Sequence, residues 1–158
     1  MAFNFFKREK KKDKAAEILT ENSIILGAKA KDKYEAIEIV GNLLLQEGKV
    51  EASYIDAMKA REDMLSTYIG NGVAIPHGVG EAKDSIIESG ISVAQFPKGV
   101  DFGDGNTAYI VIGIAGKDNE HLDILANIAT VCEDEAQVEK LIKARSPREI
   151  YDMLHGGN

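Results

Sequence analysis

A chain of 158 residues, 44% hydrophobic and 28% charged, can bury a single core in one domain and is neither disordered nor membrane-embedded. Its net charge of −7 is uneven, because Lys7, Arg8, Lys10, Lys11, Lys12 and Lys14 against Glu9 and Asp13 leave the first fourteen residues at +4 and the body at −11. An acidic body excludes nucleic acid as a partner and favours a basic protein, while the lone cysteine, Cys132, excludes an internal disulfide and fits a reducing cytoplasm.

Residues 1–20 read as a basic extension ahead of a single domain at 21–156. Three of the five phenylalanines, Phe3, Phe5 and Phe6, precede its lysines. That mixture reads as a solvated, frayed tail, with weak contact to an anionic membrane surface as the alternative. It lacks the long apolar stretch of a signal peptide, and no later run is long enough to span a bilayer.

"SIILG" is a short strand. Asp32 followed by Glu35 is a capping-box pattern, and Ala36, Ile37, Ile39, Val40, Leu43 and Leu44 recur at helical spacing until Gly48. A second helix covers Glu51 to Leu65. Short strands follow at Thr67–Ile69 and Val73–Ile75. "GISVAQF" and "AYIVIGIAG" are the clearest strands, the second apolar on both faces as a central strand should be. "PKGVDFGDGN" between them reads as a connecting loop. From Asn119 the pattern is helical, in three segments, with Ser146 capping the last and Pro147 in its first turn. Strands mixed with flanking helices give an α/β layered domain, its strand order open.

His77, in "GNGVAIPHG", is one of three histidines. Pro76 forces an extended approach, and Gly78 removes bulk and permits a positive φ. The imidazole therefore stands where a strand leaves the core. His121 opens a helix in register with Ile124, Leu125, Ile128 and Cys132, which turns it toward the core side. Both histidines follow strands, and α/β sheets place their sites at strand ends. Arg61 follows Tyr54 and Met58 at helical steps and extends that apolar stripe. An inward arginine needs an anion, either a substrate or a neighbouring carboxylate such as Glu62 or Asp63.

Two histidines and an arginine suit a phosphoryl group better than a metal, for which no ligand set occurs. GxSxG, GxGxxG and P-loop motifs are absent, which sets aside serine-nucleophile chemistry and nucleotide binding. A histidine can itself attack phosphorus, because near neutral pH the ring keeps one nitrogen unprotonated. A carbonyl or carboxylate on the other nitrogen would fix the tautomer. Arg61 could then hold the transferring oxygens bidentately, with His121 donating to the same group.

"YIDAMKAREDMLSTYIGNGVAIPHG" and "VDFGDGNTAYIVIGIAGKDNEHLDILANIA" strongly resemble enzyme IIA of the mannitol–fructose class of the bacterial phosphotransferase system, most closely its mannitol branch. The likeness runs from about Glu21 to about Leu154. It implies a mixed parallel and antiparallel sheet flanked by helices, the type-2 enzyme IIA fold. It also implies a relay in which His77 takes a phosphoryl group from HPr and passes it to a cysteine of enzyme IIB for mannitol uptake. Arg61 and His121 would be the stabilising neighbours, and no cofactor or metal is implied. The permease would be on another chain. A regulatory phosphohistidine module of the nitrogen-related type is the rival. Two features depart from the family: the basic head, and "GNG" before "VAIPHG", where local loop changes are expected. Cys132 reads as a core residue, His155 as solvated in a glycine-rich tail, and the chain as a monomer.

Overall fold

The computed structural model describes residues 18–118 and 122–156. His121 and nearly all of the basic extension therefore lie outside the described residues. Among the described residues, five strands form one sheet: β1 (Ile24–Ile25), β2 (Tyr68–Gly70), β3 (Val73–Ala74), β4 (Gly90–Asp101) and β5 (Thr107–Ala115). Their spatial order is β1-β4-β5-β3-β2. β5 lies in the middle, where its two-faced apolar run belongs. It pairs antiparallel with β4 and parallel with β3, while β1 runs parallel to β4 and β2 antiparallel to β3. The sheet is mixed, as expected.

Helices cover both faces. α1 (Lys33–Gln46) and α2 (Ser53–Met64) lie on one; α3 (Leu122–Glu133), α4 (Glu135–Ile142) and α5 (Pro147–His155) lie on the other. Alternation along the strands decides which side each residue serves. Ile110 and Ile112 of β5 point into the layer under α3, α4 and α5, and Val111 points into the layer under α1 and α2. The expected single core is therefore two apolar layers with the sheet between them. Each large aliphatic or aromatic chain buried there contributes on the order of 1.5–3 kcal/mol.

Local signals set the helix ends. Asp32 accepts a hydrogen bond from the Glu35 N–H at 2.9 Å, and the Glu35 carboxylate reaches back to the Lys31 N–H at 3.0 Å. Ser146 caps α5 by accepting from the Glu149 N–H, with Pro147 in its first turn. One expectation fails. β4 continues through all of "PKGVD", and only Phe102–Asn106 turns into β5. The ladder shifts register between Gln95 and Val100, and Pro97 sits inside that irregularity. A proline has no N–H to give a ladder, so a bulge is where a strand tolerates it.

β2 and β3 form a tight hairpin. Asn71 and Gly72 both take positive φ, 53° and 80°, as a type I′ turn requires. The hairpin delivers the chain along β5 toward His77.

Candidate active site

His77 follows β3 and pairs with Ile114, near the end of β5, in an isolated parallel bridge. The Ile114 N–H donates to the Pro76 carbonyl at 3.0 Å. On the imidazole, Nδ1 lies 2.7 Å from the carbonyl oxygen of Ile75. A carbonyl can only accept, so Nδ1 carries a proton, and in the neutral ring the lone pair is then on Nε2. This is the tautomer lock that a nucleophilic histidine needs, supplied by the backbone two residues upstream. The ring is half-buried.

Gly78 is required for room, not for a positive φ. A Cβ there would meet Tyr54 Cε1 at 2.9 Å and Ala82 Cβ at 3.0 Å, and its φ lies outside the positive region. Its N–H donates to the Tyr54 hydroxyl at 2.9 Å.

A cavity of about 390 Å³ opens beside the ring. It is lined by Tyr54, Ile69, Ile75, Ile114, Leu125, Ile128 and Ala129 together with His77, Gly78 and Gly116. Among the described residues, the imidazole and the Tyr54 phenol are the ionisable side chains in that wall.

Arg61 is half-buried, and its Nη1 donates to the Leu65 carbonyl just beyond the end of α2. It does not line the cavity. Seven residues separate it from Tyr54, so it shares that helix face about 10 Å further along the axis. The buried polar residue of α2 is instead Glu62, which is 2% exposed. Its Oε1 accepts from the Thr67 N–H at 2.8 Å and the Thr67 hydroxyl at 2.6 Å, and Lys33 Nζ lies 3.2 Å from Oε2. Burial pushes the Glu62 carboxyl up, but the hydrogen bonds from Thr67, with Ser66 and Lys33 adding to them, outweigh it and hold the group below its usual range. The carbonyl of Thr67 in turn accepts the Ile75 N–H at 3.0 Å. A hydrogen-bonded chain thus runs from Glu62 through Thr67 and Ile75 to the His77 ring.

The family described as "Phosphoenolpyruvate-dependent sugar phosphotransferase system, EIIA 2" matches residues 17–156. The chain belongs to this family. The mannitol-specific phosphotransferase enzyme IIA component of Geobacillus stearothermophilus is 51% identical over 141 residues, which is 89% of this chain and 97% of that protein. The crystal structure of IIA mannitol from Escherichia coli superposes with a TM-score of 0.78 at 39% identity, covering 85% of this chain and 97% of that one. Enzyme IIAMTL of Escherichia coli, solved in complex with phosphorylated enzyme IIBMTL, gives a TM-score of 0.79 at 38% identity, covering 87% and 99% of the two chains. The type-2 enzyme IIA fold and the likeness to the mannitol branch are both borne out.

Within this type-2 enzyme IIA, the remaining candidates separate clearly. Cys132 is 5% exposed inside α3, and burial pushes its thiol up to about 11. It is a core residue and no nucleophile at neutral pH. His155 differs from expectation: it ends α5, stacked on Tyr151 with ring centroids 5.0 Å apart, and its Nε2 is buried without a partner among the described residues. Stacking on Tyr151 leaves the residue half-buried rather than fully solvated. Tyr54 and Glu62 are the residues that sequence reasoning passed over as site elements. A phenol opening an apolar helical stripe was the signal for Tyr54, since a buried hydroxyl must find partners.

Among the described residues, no helix is long and apolar enough to cross a membrane.

Proposed function

We propose that this chain is a cytoplasmic phosphocarrier for mannitol uptake, accepting a phosphoryl group on His77 from HPr and passing it to a cysteine of enzyme IIB. In the first step the Nε2 lone pair forms a new N–P bond while the donor's N–P bond breaks. The electron pair of the broken bond stays on the HPr imidazole. In the second step a thiolate forms the S–P bond, and the electron pair of the breaking N–P bond returns to Nε2. Nδ1 keeps its proton on the Ile75 carbonyl throughout.

The single observation that carries this reading is the Nδ1 contact of 2.7 Å, which leaves Nε2 as the attacking atom. The family and the mannitol-specific names of the relatives support it. A body at −11 outside the first fourteen residues suits a basic contact surface on HPr. Such a relay interface should be small and transient, because each partner leaves after one transfer.

Arg61 and His121 are the proposed stabilising neighbours. One guanidinium donor serves the Leu65 carbonyl, and the rest of the fork is left for phosphoryl oxygens. The Arg61→Lys variant should therefore lose about tenfold to a hundredfold in transfer rate, since an ammonium cannot supply the planar fork. The check is transfer from phosphoenolpyruvate through purified enzyme I and HPr, run beside His121→Ala, which should also be slowed. Full activity of Arg61→Lys would sink the clamp. Adding enzyme IIB with a panel of sugars then separates transport from a regulatory role.

A further inference from the structure

We infer that Tyr54 is a positioning residue for phosphoryl transfer, its hydroxyl bracketing His77 between two ties to Ile114; this rests on the reading of His77 as the acceptor. On the near side, the Ile114 N–H holds the Pro76 carbonyl at 3.0 Å. On the far side, the Tyr54 hydroxyl donates to the Ile114 carbonyl at 2.7 Å and accepts from the Gly78 N–H at 2.9 Å. One residue of β5 thus fixes the peptides on both sides of the histidine, directly before it and through the phenol after it. With the backbone held twice, the ring is left only its own two torsions, and the Ile75 carbonyl sets those.

The phenol suits this task. It is 1% exposed, so water cannot replace either bond. Burial pushes its ionisation up, the Gly78 hydrogen bond opposing only in part, so it stays a neutral donor at working pH. Gly78 belongs to the same device, because any side chain there would strike the Tyr54 ring.

Tyr54→Phe keeps the ring and removes both ties. It should accept phosphoryl from phospho-HPr about ten times more slowly or worse, a loss on the scale that small misplacements produce. Nitrogen-15 NMR of the unphosphorylated variant should show His77 losing its uniform Nδ1–H tautomer. A purely structural role would lower thermal stability and leave that tautomer and the rate untouched below the unfolding transition. Gly78→Ala, which displaces the same clamp from the other side, should give the same phenotype, and the double variant should be no worse than the poorer single one. If either variant fails to fold, the wild-type protein still decides, since the Tyr54 hydroxyl proton should exchange slowly and be visible by proton NMR. A wild-type rate with an unchanged tautomer in Tyr54→Phe would overturn the inference, as would a rapidly exchanging hydroxyl in wild type. If wild type takes no label on His77, the underlying reading fails instead, and the tautomer measurement shows separately whether Tyr54 sets the ring.

Discussion

His77→Gln should accept no phosphoryl group while folding as stably as the parent. The amide can imitate an N–H toward the Ile75 carbonyl, which lies 2.7 Å from Nδ1 in the parent, but it offers no nucleophilic nitrogen. The half-buried site lies at a cavity mouth, not in either apolar layer, so the change in stability should stay within about 1 kcal/mol. Incubation with enzyme I, HPr and labelled phosphoenolpyruvate, followed by intact-mass measurement, reads both the loss and the integrity of the protein. Residual labelling at more than about a thousandth of the parent rate would place the acceptor elsewhere.

The second large effect belongs to Glu62. Removing it in Glu62→Ala leaves the Thr67 N–H and hydroxyl without their acceptor and Lys33 without its partner. Losing one member of such a buried set is expected to cost about 3 kcal/mol. For a chain of this length that lowers the unfolding midpoint by roughly 6–12 °C. Glu62→Gln, which keeps an acceptor for Thr67, should lose less than half as much. The pH dependence follows from the direction of the shift. The folded carboxyl titrates below its ordinary value of 4.5, so its contribution is full above that value and is lost as pH falls through the lowered one. Denaturant unfolding at a series of pH values should show wild type losing stability below about 4.5 and Glu62→Gln losing less over the same window. Parallel acid limbs in the two proteins would remove Glu62 from the account. Glu62→Ala should also slow phosphoryl acceptance, because Thr67 carries the Ile75 N–H and Ile75 carries the His77 ring.

Much of the fold was legible, and the reasons differ by element. α1 announced itself because the Asp32 cap and its apolar repeat agree. The central place of β5 followed from its two apolar faces. The extension of β4 past Phe96 was hidden, since Pro97 and Gly99 are loop signals unless a bulge absorbs them. The β2–β3 hairpin is legible in Asn71-Gly72, the dipeptide of a type I′ turn, and the local loop change expected at "GNG" is this turn.

At the site, the neighbours of His77 in sequence explained its extended approach, and a carbonyl on the second nitrogen was among the expected locks. Three features lay beyond local pattern. The partner of the Gly78 N–H comes from a residue 24 positions earlier, and the Tyr54 hydroxyl reaches a carbonyl 60 positions later. Helical steps of three and four put both Arg61 and Glu62 near the inner face, and spacing alone could not say which would be buried. Packing chose Glu62, because Thr67 and Lys33 satisfy its charge there. The arginine stays half-buried instead, its head on the Leu65 carbonyl at the end of the same helix.

The most direct test of the central claim is to find which atom carries the phosphoryl group. Nitrogen-15-labelled protein, phosphorylated through enzyme I and HPr, would be examined by phosphorus and nitrogen NMR under mildly alkaline conditions that preserve phosphohistidine. The account predicts a single N–P bond at His77 Nε2, with Nδ1 still carrying its proton against the Ile75 carbonyl. A phosphoryl group on Nδ1, or on any other residue, would contradict it.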